Sequence, residues 1–142
     1  MKILNNKKPN IGVVDDDFAV INYIINELDE RFNPYLFTWT DYGGDNYSTF
    51  REYIENKNLD MFIIDVNLPD VSGFEVGENI RKVLGSRVPI IYISSDLENM
   101  KFMERKAVNI FLKKPLKANE LISAIDYLSE FIEERSRIRV AI

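Results

Sequence analysis

Five short apolar runs recur along the chain: IGVV at 11–14, LFTWT at 36–40, MFII at 61–64, PIIYIS at 89–94 and IFL at 110–112. Runs this short read as strands, and four of the five are continuously apolar and rich in Ile and Val. A strand whose side chains are apolar on both sides must be covered on both faces, as in a parallel sheet; the second run alternates more and is expected at an edge. Between the runs, apolar residues return every three or four positions: Phe18, Ile21, Ile25 and Leu28, then Tyr47, Phe50 and Ile54, then Val76, Ile80, Val83 and Leu84. That spacing places each set on one face of a helix. The interval from Asp96 to Lys106 is less cleanly amphipathic, and a last helix is predicted from about Ala118, with Leu121, Ile125, Leu128 and Ile132 on one stripe. Strand and helix thus alternate five times. Right-handed crossovers turn such a repeat into a doubly wound, five-stranded parallel α/β sheet with helices on both faces, whose ligands sit outside the carboxyl ends of the strands.

With 142 residues, 46% of them apolar, the chain is expected to form one domain with a real core over about 9–130 and a helix extension and tail over about 131–142. It contains no cysteine and no histidine. Thiol nucleophiles, thiolate zinc sites and imidazole acid–base chemistry are therefore excluded, which leaves carboxylates, hydroxyls, lysine and oxygen-liking cations. The net charge of −5 argues against binding to nucleic acid or to an anionic membrane surface. The opening MKILNNKKPN lacks the apolar stretch of a signal peptide, and no segment has membrane-spanning length, so a cytoplasmic location is expected.

Three carboxylates, Asp15, Asp16 and Asp17, follow the first strand directly, and Asp65 follows the third. In the inferred sheet both ends lie on one rim. Like charges about 4 Å apart repel by roughly 4 kcal/mol at an effective dielectric near 20, so the cluster calls for a cation or a raised pKa. Mg²⁺ suits a site with oxygen ligands only. Ser94 and Ser95 end the fourth strand on the same rim, and Lys114, just before Pro115, ends the fifth. Nucleophile, metal, hydroxyl and ammonium around one point equip a site for phosphoryl transfer to a carboxylate.

Four segments, VVDDD at 13–17, IIDVNLPDVSGFE at 63–75, PIIYISS at 89–95 and FLKKP at 111–115, occur in this order at these strand ends. Through them the sequence resembles the receiver domains of two-component response regulators, over roughly residues 9–130. The resemblance implies the flavodoxin-like strand order 2-1-3-4-5 and Asp65 as phosphoacceptor. It further implies that Asp16 and Asp65 ligate Mg²⁺ directly, Asp15 through a metal-bound water and Asn67 through its backbone carbonyl. Ser94 would be the switch hydroxyl, Lys114 the phosphate-pairing cation and Phe111 the rotameric aromatic of the fifth strand. Asn67 and Asp96 would border the phosphoryl group and set its lifetime. Because the chain has no histidine, the phosphoryl donor would be a partner histidine kinase or phosphotransfer protein.

On the helical wheel Tyr127 and Phe131 flank the last helix's apolar stripe. The resemblance makes them candidates for a partner-binding or homodimer face built from the fifth strand and that helix. Asp17 has no metal role in the family and reads as a bystander or helix cap, while Pro69 and Gly73 shape the loop before a helix starting near Phe74. Two positions depart from the common pattern: Ala107 where glycine is usual, and Ser94 where threonine is commoner. A haloacid-dehalogenase-type phosphohydrolase is a rival reading, but it places an aspartate where this chain has Asn67. A non-phosphorylated pseudo-receiver is another, but the acids and the lysine are all present. The expectation is a signalling switch, not an enzyme with turnover.

Overall fold

The computed structural model describes residues 8–28, 30–38, 47–69, 71–96 and 108–141, with the side chains of 18, 28, 47 and 133–141 left aside. Five strands, β1 (Asn10–Val14), β2 (Asn33–Phe37), β3 (Met61–Asp65), β4 (Ile90–Ser94) and β5 (Asn109–Lys113), form one sheet in the order β2-β1-β3-β4-β5. All four pairings are parallel. The helices among the described residues are α1 (Phe18–Leu28), α2 (Tyr47–Asn56), α3 (Gly73–Leu84) and α4 (Ala118–Ala141). None of them is long and apolar enough to cross a membrane.

The continuous apolar runs are explained by two cores, one on each face of the sheet. On one face Phe62 and Ile64 of β3 join Val14, Phe37, Ile90 and Tyr92 against Phe50 and Ile54 of α2 and Val76 and Ile80 of α3. On the other, Met61 and Ile63 join Ile11, Val13, Ile91 and Ile93 against Ile24 of α1 and Leu121, Ile125 and Leu128 of α4. Alternate residues of one strand thus feed opposite cores, so a strand in the middle of the sheet has no polar face.

Two elements differ from the sequence reading. β2 starts three residues before the apolar run LFTWT and stops at Phe37. Its first residues, Asn33 and Pro34, look like a turn, yet Pro34 is tolerated because β2 is an edge strand paired only with β1. Asn33 is held there by its own N–H, which donates to the Pro9 carbonyl at 2.9 Å. In α1 the fully buried residue is Ile24 and Ile25 is only partly covered, because spacings of three and four both fit one helical face. The interval after Asp96, including Ala107, lies outside the described residues.

The amino-terminal rim of the sheet is tightly tied. Asn10 N–H donates to Asp60 Oδ2 at 2.8 Å while Asp60 N–H donates to the Asn10 carbonyl at 2.8 Å. The Asn10 amide donates to the carbonyls of Lys57 and Asn58 and accepts from Asn33 Nδ2. On the same rim the Arg81 guanidinium of α3 donates to the Val88 carbonyl at 2.7 Å and to that of Val108 at 3.4 Å.

Candidate functional site

Register decides which residues meet at the opposite rim. Val14 of β1 lies beside Ile64 of β3, Asp65 beside Ile93 of β4, and Ser94 beside Lys113 of β5. The residues that end β1, β3, β4 and β5 are therefore level, and the sequence-selected groups Asp15, Asp65, Ser94 and Lys114 come to one edge.

Asp15 is fully buried at the exit of β1. Its Oδ1 accepts the Asp17 N–H at 2.8 Å, an Asx turn that bends the chain toward α1. Asp17 in turn accepts the Ala19 N–H at 2.9 Å and caps α1, which settles its role as a helix cap. Asp16 sits partly exposed between them. Among the described residues Asp15 Oδ2 is buried with no hydrogen-bond partner.

Asp65, 5% exposed, ends β3. Its Oδ1 accepts the Asn67 N–H at 3.0 Å and its Oδ2 accepts from Lys114 Nζ at 2.9 Å. The following loop doubles back: Gly73 N–H donates to the Val66 carbonyl at 2.8 Å and Asn67 bridges Ser72. Ser72 caps α3 by accepting the Phe74 N–H, so the helix starts at Gly73, one residue before Phe74. A Cβ on Gly73 would stand 2.1 Å from the Asp65 carbonyl oxygen. That neighbour is backbone and cannot turn aside. Gly73→Ala is therefore expected to destabilise the fold by about 3 kcal/mol and to displace the Asp65 strand end; chemical denaturation measures the loss, and wild-type stability would contradict this packing.

Ser94 is fully buried at the end of β4. Its Oγ accepts the Asp96 N–H at 3.0 Å and donates to the Asp96 carbonyl at 3.2 Å, and Asn67 Nδ2 reaches it at 3.4 Å. Lys114 N–H donates to the Ser94 carbonyl at 2.9 Å, which seats the lysine at the rim. Its ammonium lies 2.9 Å from Asp65 Oδ2 and 4.0 Å from Asp15 Oδ2.

The electrostatics follow from this crowding. Burial, with the Asp65 charge adding to it, pushes the Asp15 carboxyl up to about 7 against the opposing effects of the Asp17 N–H and Lys114. Burial works to lower the Lys114 pKa, but its hydrogen bond to Asp65 and the charges of Asp15, Asp65 and Asp17 outweigh that and hold the ammonium above its usual range. Among the described residues no three carboxylates close into a metal cage of their own. The donors present are carboxylate and carbonyl oxygens, the set that suits a hard cation taking one or two carboxylates and completing its shell with water.

Four other sequence-selected residues are Asp96, Phe111, Tyr127 and Phe131. Asp96 contributes its backbone to Ser94 and is exposed. Tyr127, 50% exposed, meets Phe131 edge-to-face at 5.7 Å on α4. Phe111 packs on the sheet face opposite α4, stacked on Tyr92 at 5.8 Å. Neither Tyr92 nor the packing role of Gly73 was picked out from the sequence. The available signal for Tyr92 was a single phenol in an otherwise aliphatic run, PIIYIS.

Residues 11–126 match the family model of the response regulator receiver domain. Response regulator protein TodT of Pseudomonas putida is 32% identical over 128 residues, 88% of this chain and 53% of TodT. Response regulator protein GraR of Staphylococcus haemolyticus is 30% identical over 125 residues, 86% of this chain and 52% of GraR. The chain thus spans about half the length of these relatives. Among solved structures, a CheY-like receiver domain protein from Methanospirillum hungatei aligns with a TM-score of 0.70 at 24% identity, covering 90% of this chain and 99% of that one. The Vibrio cholerae chemotaxis protein CheY4 aligns with a TM-score of 0.69 at 21% identity, covering 86% and 99%. A rim of buried acids, lysine and serine on a 2-1-3-4-5 sheet, together with a family match over most of its length, makes this chain a member of the response regulator receiver domain family of two-component systems.

Proposed function

We infer that the chain is a phosphorylation switch in which Asp65 accepts a phosphoryl group from a partner histidine kinase or phosphotransfer protein. The observation that carries this reading is the Asp65 carboxylate: nearly buried, fixed on one oxygen by the Asn67 N–H and on the other by an ammonium 2.9 Å away. A nucleophile held this way is oriented before its substrate arrives. A carboxylate oxygen would attack phosphorus while the bond to the donor histidine nitrogen breaks, leaving an acyl phosphate and a neutral donor ring. Lys114 would move from the carboxylate to a phosphoryl oxygen, and Ser94 would release the Asp96 carbonyl to donate its proton to another.

The orphaned, buried Asp15 Oδ2 and its raised pKa support a divalent cation at this rim. Asp16 and Asp65 would ligate Mg²⁺ directly, Asp15 through water and Asn67 through its carbonyl, and the ion would neutralise charge on the phosphoryl oxygens. Asn67 and Asp96 would tune how fast water clears the acyl phosphate. Tyr127 and Phe131 would take part in a face for an output partner or a second copy of the chain, with the protein working in the cytoplasm beside its kinase. The chemistry is a single self-directed transfer and its hydrolysis, not turnover of a free substrate.

The test is intact-mass spectrometry after incubation with acetyl phosphate. One phosphoryl adduct, stable in acid and lost with hydroxylamine, is expected with Mg²⁺, and none after EDTA. Equal labelling with and without the chelator would remove the cation from the reading, and no labelling under any condition, from acetyl phosphate or a kinase, would end it.

A further inference from the structure

Tyr92 lies in the middle of β4 and is one of the largest fully buried side chains of the protein. Its cross-strand partner on β5 is Phe111, and the two rings stack 5.8 Å apart at 15°. A second ring, Phe74 of α3, meets Tyr92 edge-to-face at 4.9 Å. At its tip the phenol is pressed against bare backbone: a Cβ on Gly77 would stand 2.0 Å from Tyr92 Oη. Glycine at 77 is therefore required by the tyrosine. Phe74 follows Gly73, the residue whose backbone abuts the Asp65 carbonyl. One line of contact thus runs from the end of β3, through the first turn of α3 and Tyr92, to Phe111.

Phe111 is less well held than Tyr92. It is only partly buried, and among the described strands β5 has a neighbour on one side only. Tyr92, by contrast, is clamped between two rings and a helix backbone and cannot shift unless α3 shifts. The rigid ring sets the position of the freer one.

We propose that Tyr92 is a positioning residue that fixes the resting orientation of Phe111 and ties it to the helix that starts against Asp65. The resting-state part stands without phosphorylation. Its consequence for signalling rests on the reading of Asp65 as the phosphoacceptor and of Phe111 as the aromatic that turns when the phosphoryl group arrives. If phosphorylation favours a turned Phe111, a ring that stabilises the resting orientation opposes phosphorylation by the same factor. Stacked pairs of this kind bias a two-state rotamer by about two- to tenfold.

The first measurement is NMR of the Phe111 ring in the full, unphosphorylated chain without metal. Tyr92→Phe keeps the ring and should leave the Phe111 signals in place. Tyr92→Leu should move them, with the rotamer ratio shifting by about two- to tenfold. Should Tyr92→Leu not fold, Phe74→Leu, at a partly exposed position, removes the second wall and is expected to move Phe111 in the same direction by less. Unmoved Phe111 signals in a folded Tyr92→Leu, or in Phe74→Leu where the first variant does not fold, overturn the proposal. The second measurement is titration with beryllofluoride and Mg²⁺. Affinity should rise in the ring-deleted variant by the factor seen in the rotamer ratio, and unchanged affinity beside moved ring signals overturns the link to Asp65. Wild-type protein that binds no beryllofluoride would sink the phosphorylation reading instead, and the ring signals would still decide the positioning role.

Discussion

Asp65→Asn is expected to reduce phosphoryl uptake to background while leaving the fold intact. The substitution is nearly isosteric, and its amide oxygen keeps the bond from the Asn67 N–H that Asp65 Oδ1 now accepts. What disappears is the charge. An amide is not a nucleophile toward phosphorus, and its NH₂ group would face Lys114 Nζ, which now sits 2.9 Å from a carboxylate oxygen. The ammonium has another partner within reach in Asp15 Oδ2, 4.0 Å away, so the variant does not strand a buried charge. With one negative neighbour removed, the Asp15 carboxyl should titrate lower than its present value of about 7, since the Asp65 charge is one of the causes that raise it. Mass spectrometry reads the first effect and carboxyl NMR the second. Labelling at wild-type yield would move the acceptor elsewhere.

Asp15→Asn is expected to stabilise the metal-free protein above neutral pH by about 2 kcal/mol and, at the same time, to abolish Mg²⁺-dependent labelling. The carboxyl rises from its ordinary value of 3.8 to about 7 on folding. The folded state therefore binds more protons than the unfolded chain between those limits, and stability falls as pH rises through that window. At about 1.4 kcal/mol per unit the full cost is a little over about 4 kcal/mol, reduced in practice by local relaxation. Asparagine removes the burden of a buried charge, and its oxygen can still accept the Asp17 N–H. Denaturant midpoints at pH 5 and pH 8 test this. The wild type should lose stability between them, the variant much less. A wild-type chain that gains stability over this range relative to the variant would reverse the sign of the argument.

Much of this arrangement was legible in the residue order. The Ile-rich β3 and β4 needed no context, because a strand buried on both faces carries its signature in every position. Asp65 stood out because it ends such a strand, and Lys114 because Pro115 follows it. What was not legible depended on partners far away in sequence. β2 could not be framed from its own residues, since Asn33 is recruited to the strand by Pro9 and Asn10. The orientation of Phe111 depends on the β4–β5 register, which pairs it with Tyr92. That Asp15 Oδ2 accepts no hydrogen bond among the described residues follows from its burial, and no local pattern distinguishes Asp15 from the exposed Asp17.

The bonds of the amino-terminal rim give the sheet two ends of different character. At one end Asn10, Asp60, Asn33 and Arg81 lock strand starts to loops through amides, the Asp60 carboxylate and a guanidinium on carbonyls, none of which depends on a bound ion or a phosphate. At the other end the strand exits are held by a lysine shared between two acids and by a serine whose hydroxyl bonds the Asp96 backbone. If Asp65 is phosphorylated as proposed, the expected outcome in hydrogen-exchange terms is that strand starts keep their protection while strand exits vary. The fold thus has a fixed foundation at one rim, against which the proposed motions at the exits would register as a definite displacement.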